Sequence, residues 1–400
     1  MHLFKKYSFL TPVIWLLSWV SLFGDISSEL LYPVLPIYLK SIGYSFLYIG
    51  LLEGFADATA GLTKGYFGKM SDKLQQRVVF IRTGYGFSTI GKALLVVTQQ
   101  FTGIFAARFM DRLGKGIRTS SRDAMLASET TKENLAAVFG FHRAMDTTGA
   151  AIGPIAAMVM LHYFPGRYQL IFMVAIIPAL VTVWLTFVLK REKKQEIIYI
   201  EDKKVPGFFS YFGYWKESSV QYRSMVLPLL LFALVNSADV FLLLRIKAAG
   251  FSDILMIGCY VGYNMLYALL SFPVGILADK IGRKTVFCMG LLLFAITYFG
   301  FSQADSLWQF SILFFIYALF SACNESVAKA LLASRCEEKD RATALGFYES
   351  GRSIALLFAS TWTGYLWSIG NASAAFIISA ATTLIAMMIV WKVDKVKKIT

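Results

Sequence analysis

Acidic residues occur in pairs inside two long apolar stretches near the start of the chain. Asp25 and Glu29 are four residues apart, and so are Glu53 and Asp57, so each pair shares one face of a helix. An ionisable group in a hydrophobic run is costly unless it is paired or hydrated, and neighbouring carboxyl groups tend to hold a proton between them. The pattern favours a proton site or a cation site, with Asp25 and Glu53 as the preferred proton carriers. A static network that ties helices together is the alternative.

Basic residues recur at helical spacing in the fourth apolar stretch. Arg108, Arg112, Lys115 and Arg118 follow one another at steps of three or four residues, with Asp111 among them, so they line one helix face. We expect Arg108 and Arg112 to contact either a bound solute or the acids of the first two stretches. For the lower part, Arg118 to Asp123, a position at the cytoplasmic surface is the alternative.

Two further stretches carry opposite charges at matching places. Arg143 and Asp146 are three residues apart, and Glu349 and Arg352 repeat that spacing 206 residues later with the signs exchanged. Such pairs can neutralise one another across a repeat, either as a gate that breaks and re-forms or as a permanent clamp, and the spacing leaves both readings open. His142 can bind a proton near neutral pH, although a packed, hydrogen-bonded histidine is the alternative.

The elements that must position these charges are membrane helices. Of the 400 residues, 57% are hydrophobic and only 16% charged, so we expect most of the protein surface to face lipid rather than water. We predict an all-α polytopic membrane protein with twelve transmembrane helices. These helices, called spans one to twelve below, are expected at 11–39, 45–68, 78–98, 101–125, 135–162, 169–190, 224–245, 254–278, 285–303, 308–333, 341–368 and 371–392.

The net charge of +14 sits mostly in the short connections between spans, which argues against nucleic-acid binding. Basic residues concentrate in the loops on one side, and this side also carries both termini. By the positive-inside rule we expect a cytoplasmic (inner) membrane protein with cytoplasmic termini. The four cysteines are scattered without metal-type spacing, so we expect no disulfide and no metal site.

The chain is predicted to consist of two similar halves, 1–190 and 223–400, joined by a cytoplasmic linker at 191–222. Leu126-Ala127-Ser128 recurs as Leu332-Ala333-Ser334, 206 residues later. Six spans repeated in parallel form two pseudo-symmetric bundles, the plan of transporters whose halves rock around a central site. The charges of the linker are expected to be solvated or drawn to anionic lipid.

A loop motif that occurs in both halves resembles the signature of a known protein family. The run from Gly275 to Lys284, Gly-Ile-Leu-Ala-Asp-Lys-Ile-Gly-Arg-Lys, looks like the loop signature of the major facilitator superfamily, and the first half has a partial copy in which Gln75 replaces the second glycine. The resemblance implies a bacterial-type member with twelve helices. It also implies a cytoplasmic gate, for which simple loop capping is the alternative, at Gly68, Asp72, Arg77, Gly275, Asp279, Gly282 and Arg283.

A second motif lies in span five. Gly149-Ala-Ala-Ile-Gly153-Pro154 resembles the packing signature of exchangers and drug exporters, in which small residues permit close helix contact and proline bends the helix. The residue at 157 is alanine where that signature has a further glycine. The motif favours export by antiport.

The resemblance also implies that spans one, four, seven and ten surround the transport path. Besides the charged residues above, it places in the cavity Asn236, Asp239, Asn264, Asn324, Glu325 and Lys329. Because both signs are present, the cavity suits a zwitterionic or anionic organic solute, or a metal chelate such as a siderophore. Bare soft metal ions are not expected to bind tightly.

We therefore expect a secondary active transporter that works by alternating access. It needs no cofactor, uses the proton or sodium as coupling ion, and acts as a monomer in lipid. Export by antiport is favoured over uptake by proton symport. An enzyme is not expected, because the sequence lacks the His-Glu-x-x-His and Gly-x-Ser-x-Gly patterns. A sensor or scaffold that does not transport is the alternative of another class.

Overall fold

The chain is helical over almost all residues that the computed structural model describes, which are 9–44, 46–190, 207–251 and 253–393, and it has no strand there. Each predicted span corresponds to a helix or to a pair of helices, so the all-α fold is confirmed. In order, their bounds are Pro12–Leu31 with Val34–Ser41, Phe46–Leu74, Arg77–Val97, Phe101–Ser128, Leu135–Tyr163, Tyr168–Val188, Val220–Ala233 with Val240–Ala248, Asp253–Ile281, Arg283–Gln303, Leu307–Ala333, Arg341–Ser368 and Ala372–Lys392.

Length and apolar composition qualify seven of these stretches, among the described residues, to cross a membrane: Pro12–Leu39, Lys132–Tyr163, Tyr168–Val188, Gly258–Ile281, Arg283–Gln303, Leu307–Ala333 and Ala372–Lys392. Spans two, three, four and eleven carry ionisable residues in their interiors, for example Lys64, Lys92, Asp111 and Glu349. Such groups are costly at membrane depth unless they have partners. The fold must therefore provide partners inside the protein.

Spans one and seven are broken, and the breaks fall at matching places of the repeat. Span one is interrupted at Tyr32 and Pro33, where proline removes an amide donor and its ring crowds the preceding turn. Span seven is interrupted at 234–239, where Asn236, Ser237 and Asp239 offer side chains that compete with the helical hydrogen bonds. Pro33 and Asp239 are 206 residues apart, so both breaks follow the period of the repeat.

The chain forms two compact units. The first unit contains Met1–Thr130, Met145–Glu217 and Glu337–Ser350, and the second contains Thr131–Ala144, Ser218–Cys336 and Gly351–Thr400. The start of span five thus groups with the second half of the chain, and the start of span eleven groups with the first half. The division of the sequence into two repeated halves, 1–190 and 223–400, stays a prediction.

Each unit has its own core. In the first unit, buried aliphatic and aromatic side chains of spans one to six form one cluster, in which the ring edge of Tyr38 meets Phe172 with centroids 5.1 Å apart. In the second unit, aromatic rings dominate, and Phe294 stacks on Tyr298 with centroids 3.9 Å apart. Burial of such side chains against neighbouring helices fixes the spans that carry the charged residues.

Two helix crossings bring backbones into close approach. In the second unit, Gly140 of span five faces the backbone of Ser271 and Gly275 of span eight. In the first unit, Gly346 of span eleven faces the backbone of Lys64 and Gly65 of span two. Gly140 and Gly346 are 206 residues apart, so the same glycine-mediated crossing occurs once in each unit.

Candidate functional site

The acids of span one face the basic side of span four. Asp25 and Glu29 are both partly buried. The Asp25 carboxyl lies within hydrogen-bonding reach of Asp146 on span five, with Lys115 as its nearest basic neighbour. Glu29 has Lys115 and Arg112 as its nearest basic neighbours. The structure thus brings the predicted acids of span one, Arg112 and Asp146 together inside the first unit.

Asp146 connects this acid pair to the lower part of span four. The Ser21 hydroxyl donates to Asp146 Oδ1 at 2.5 Å and accepts from Arg122 Nη1 at 3.0 Å. Arg122 also binds the adjacent Asp123 carboxylate at 3.0 Å, and both residues are buried. Arg122 and Asp123 are therefore enclosed by other protein side chains, and a position of this part of span four at the cytoplasmic surface stays the alternative.

Asp111 is the centre of a second group of charges in the same unit. Lys92 Nζ on span three lies 3.1 Å from Asp111 Oδ1, and Arg108 Nη1 lies 3.6 Å from Asp111 Oδ2. All three side chains are buried, so each charge depends on the others for stabilisation. Arg108 pairs with Asp111 and also acts on Glu29 of span one, and Lys92 is a member of the site that our sequence analysis missed. Its position inside an apolar span was the available signal.

The two glycines of span five pack directly beside the acids of span one. A Cβ added at Gly149 would lie 3.2 Å from the Asp25 Cβ, and one added at Gly153 would lie 2.9 Å from the Glu29 Cβ and 2.8 Å from the Leu30 amide nitrogen. The close approach places Asp146, one turn before Gly149, next to Asp25. The small residues of the motif thereby set the distance between the two carboxyl groups.

A separate polar cluster lies in the second unit. Arg143 Nη2 pairs with Glu325 Oε2 at 2.9 Å, while Arg143 Nε donates to the Tyr267 hydroxyl at 2.9 Å. That hydroxyl donates in turn to Glu325 Oε2 at 3.0 Å. The side chains of Arg143 and Glu325 remain 30% and 25% exposed, and charged groups at this depth face water rather than lipid. The cluster thus pairs its charges within the second unit while two of its side chains stay partly exposed.

Asp239 extends this cluster from the broken span seven. The Tyr317 hydroxyl donates to Asp239 Oδ1 at 2.6 Å, and Glu325, Arg143 and Arg352 are its charged neighbours. Sequence analysis missed the tyrosines 267 and 317, because tyrosine is common in any apolar helix and gives no specific signal.

The predicted asparagines have different environments. Asn264 Nδ2 donates to the carbonyl of Tyr260 on its own helix at 3.1 Å. Asn236 Oδ1 and Asn324 Nδ2 are buried and have no hydrogen-bond partner among the described residues. Buried polar atoms of this kind are costly unless water or a ligand satisfies them. Lys329, one turn after Glu325, is partly buried on the same span.

The loop acid of the first half binds the start of span eleven. Asp72 Oδ2 accepts from the Thr343 amide at 2.6 Å and from the Thr343 hydroxyl at 2.9 Å. Arg77 Nη2 lies 3.6 Å from Asp72 Oδ1 and donates to the carbonyl of Glu338 at 2.9 Å. A carboxylate at a helix N-terminus is stabilised by the free amides and by the helix dipole.

The loop acid of the second half binds the start of span five in the same way. Asp279 accepts from the amides of Ala136 and Ala137 at 3.2 and 2.7 Å. Arg283 pairs with Asp279 at 2.7 Å and donates to the carbonyl of Lys132. Residues 137 and 343, like residues 132 and 338, are 206 apart. We call these two equivalent contacts the first lock, at Asp72, and the second lock, at Asp279.

The turns beside the two locks both need a left-handed residue. Gly282 has a φ of 101°, and Gln75 takes the same role in the first half with a φ of 50°. Glycine adopts such angles freely, whereas glutamine does so at a cost. The Gln75 side chain donates to the carbonyl of Asp72 at 2.6 Å, which helps hold the turn. Gly68 and Gly275 each pack against a backbone carbonyl, of Ala342 and of Ala136.

A buried ion pair reinforces the first lock. Lys64 Nζ on span two lies 3.0 Å from Glu349 Oε2 on span eleven, with side-chain exposures of 11% and 2%. The position equivalent to Lys64 in the second half is Ser271, which cannot form such an ion pair. Glu349 thus has a strong partner in Lys64, as Arg143 has in Glu325, and direct pairing of Arg143 with Glu349 across the repeat stays a prediction.

The remaining predicted residues are placed as follows. The side chains of Glu53 and Asp57 lie outside the described part of the structure, and His142 is buried on span five. Among the described residues no three His, Cys, Asp or Glu side chains are grouped so that they could hold a metal ion. What the site offers is therefore a set of interleaved carboxylates, basic groups and tyrosine hydroxyls, which suits proton exchange and recognition of a charged solute.

The chain matches known transporters along its whole length. A model of the Major Facilitator Superfamily matches residues 15–266 and 248–399. An uncharacterised MFS-type transporter of Methanocaldococcus jannaschii, MJ1317, is 32% identical over 367 residues, which are 90% of this chain and 89% of the relative. The multi-drug resistance efflux pump PmrA of Streptococcus pneumoniae is 25% identical over 162 residues, or 40% of each chain.

The fold is also that of a solved transporter. The crystal structure of the fucose:proton symporter FucP of E. coli superposes with a TM-score of 0.79 over 97% of this chain and 99% of that chain, at 14% identity. At this identity the likeness concerns the fold alone. The family match covers the whole chain, and the archaeal relative agrees over nine-tenths of it. The chain is therefore a membrane transporter that belongs to the major facilitator superfamily.

Proposed function

We propose that this transporter is a proton-coupled carrier that moves a small, charged organic solute by alternating access, with export in exchange for protons as its direction. The observation that carries the proposal is the contact of Asp25 with Asp146 beside Lys115. Two carboxyl groups at hydrogen-bonding distance stay together only while one of them holds a proton, so this pair is a place to load and release one.

Antiport follows if proton and solute compete for the same charges. When the Asp25–Asp146 pair loses its proton, the free carboxylates can bind a cationic group of the solute, and when a proton returns the solute is released. The crossing at Gly149 and Gly153 supports this reading because it holds the two acids together, and the partial similarity to a pneumococcal efflux pump agrees with it.

Uptake of an anionic or zwitterionic solute, or of a metal chelate, by proton symport is the second candidate. Arg112 and Lys115, both partly exposed beside Glu29, support it because they could bind a carboxylate of the solute. Symport would load the proton and the anion together. The two candidates differ in which direction of pH gradient drives accumulation.

The orientation belongs to the same proposal. We place the protein in the cytoplasmic membrane as a monomer with both termini inside, because the helix ends next to the two locks carry Lys69, Lys73, Lys280 and Lys284. Sodium is the alternative coupling ion, and the carrier needs no cofactor.

The test is solute flux under an imposed pH gradient. Purified protein in liposomes is screened with organic acids, siderophore-like chelates and cationic drugs. We expect Asp25→Asn to retain exchange of solute across the membrane but to lose its dependence on the pH gradient. Asp305→Asn, at an exposed loop acid, is the matched control and should behave like the parent. A pH-driven flux that survives Asp25→Asn would overturn the coupling role, and flux that follows sodium alone would replace the proton.

A further inference from the structure

The linker contains a residue with an environment unlike that of a solvated connection. Tyr211 is fully buried, although it follows the charged run 190–204 and precedes span seven. It lies in a short helical turn, Ser210–Gly213, and its ring packs onto Gly65 of span two, where any added side chain would collide with the ring. The polar linker therefore inserts one aromatic ring into the glycine crossing described above.

The ring lies at the point where span two and span eleven are joined most closely. Ser350 of span eleven accepts from the Gly65 amide at 2.9 Å and donates to the Gly61 carbonyl at 2.8 Å. The Tyr211 hydroxyl faces the Ser350 side chain. One turn away, Lys64 pairs with Glu349. Tyr211 thus covers the contacts that hold these two spans together.

The flanking residues hold the ring in this position from both sides. On span two, Lys69 Nζ donates to the Ser210 carbonyl at 3.0 Å, and Tyr66 packs on Phe208 with centroids 5.2 Å apart. On span eleven, Phe347 contacts the rings of Phe212 and Trp215, with centroids 6.3 Å apart in both cases. The segment 208–217 therefore bridges a span of the first half and a span of the second half.

The other crossing differs at the equivalent positions. Gly65 and Ser350 correspond to Phe272 and Ala144, and the Phe272 ring packs on Phe141 with centroids 5.4 Å apart. A side chain in place of Gly65 would occupy the space that the Tyr211 ring fills. The linker occurs once in the chain, and it is adapted to one of the two crossings.

We propose that Tyr211 is a wedge through which the linker controls the gate: spans two and eleven separate in the transport cycle only when the Tyr211 ring leaves the space above Gly65. Tyr211 is thus a positioning residue that acts through the first lock and touches no solute. The inference rests on the alternating-access carrier proposed above, but not on the identity of the solute or the coupling ion.

The wedge should not respond to pH. Burial raises the pKa of the Tyr211 phenol above its ordinary value, so the side chain stays neutral throughout the physiological range. Its effect on opening is therefore separable from proton loading at Asp25. A failure of proton coupling would leave the wedge intact, and the reverse is also true.

Cysteine labelling tests the wedge without a solute. Ser120 and Ser326 are buried serines 206 residues apart, which donate to the carbonyls of Lys64 and Phe139 at the two crossings. Each is replaced by cysteine in the full chain, after Cys259→Ala and Cys336→Ala have removed the two partly exposed native thiols. The reagent is a water-soluble maleimide, applied to protein in lipid nanodiscs so that both faces are accessible.

With Tyr211→Ala, we expect labelling at positions 120 and 326 to become about tenfold faster or more, because the closed arrangement loses a fully buried aromatic contact. Tyr211→Phe keeps the ring and should stay within about threefold of the parent, since it loses only a hydroxyl contact. Phe209→Ala, at a neighbouring ring that is 62% exposed, is the matched control and should change neither rate.

Two outcomes would overturn the proposal. One is an unchanged rate at position 120 in Tyr211→Ala. The other is a faster rate at position 120 alone, because that result means local loosening without opening. Gly65→Ala tests the same contact by changing span two instead of the linker. Its methyl group must displace the Tyr211 ring. It should reproduce the effect of Tyr211→Ala, and an unchanged rate in Gly65→Ala contradicts the wedge even if the tyrosine variant fails to fold.

Discussion

Removal of the buried ammonium of Lys64 is the sharpest test of how the first lock is stabilised. Lys64→Met keeps the length of the side chain but leaves the Glu349 carboxylate, which is 2% exposed, without its partner at 3.0 Å. Breaking a buried ion pair from one side typically costs about 3–5 kcal/mol, because the remaining charge stays desolvated. We expect a loss of this size in the free energy of unfolding.

The double variant Lys64→Met/Glu349→Met should recover most of that loss. Two apolar side chains of similar volume are tolerated where a buried pair stood, so we expect a net change within about 1.5 kcal/mol of the parent. The coupling between the two positions is then about 2 kcal/mol or more. The exposed pair Lys339–Glu337, 2.8 Å apart with exposures of 70% and 72%, is the control, and Lys339→Met should cost less than about 1 kcal/mol.

The assay is unfolding by SDS in mixed micelles, followed by tryptophan fluorescence. It compares the parent, Lys64→Met, Glu349→Met, the double variant and Lys339→Met in one detergent and at one ionic strength. If Lys64→Met costs no more than Lys339→Met, or if the double variant is as unstable as the sum of the single variants, the buried pair does not stabilise the crossing. The reasoning would then be wrong, whatever the transport activity of the variants.

Two further predictions concern the locks and the packing motif. In the same unfolding assay, Asp72→Asn and Asp279→Asn should each cost about 1.5–3 kcal/mol, because each removes charge-assisted bonds to backbone amides, and a loss at one position alone contradicts their equivalence. Gly153→Val should abolish the monodisperse peak in size-exclusion chromatography, because its side chain would collide with Leu30 and Glu29. Gly86→Val, at a helical glycine with open space around it, should still give that peak.

The spans and their order could be predicted from the sequence, because most of them are apolar over the thickness of a bilayer and the repeat indicates the rest. The break at Pro33 had a visible cause, but the break at 234–239 did not, since Asn236 and Asp239 are common in uninterrupted helices as well. The repeat also indicated that Asp72 and Asp279 are equivalent. It could not indicate their partners, because Thr343 and Ala137 contribute backbone amides that leave no trace in the sequence.

The charges that the sequence analysis overlooked were Lys64 and Lys92. Both lie inside predicted spans, and the rule that an intramembrane ionisable residue needs a partner applies to them as it does to the acids. Tyr211 is different in kind. Its burial depends on the space left by Gly65 on a distant helix, and neither residue alone suggests that contact.

The two locks constrain how the chain can change over evolution. Asp72 and Asp279 each accept from a backbone amide, so both Thr343 and Ala137 can serve, although the Thr343 hydroxyl adds a bond that Ala137 cannot give. The rotation of the helix that donates these amides is constrained. One inserted or deleted residue turns the amides by about 100° around the helix axis and away from the acid. Substitutions can therefore accumulate at both helix starts, while their lengths must stay fixed relative to the acids more than a hundred residues away in sequence.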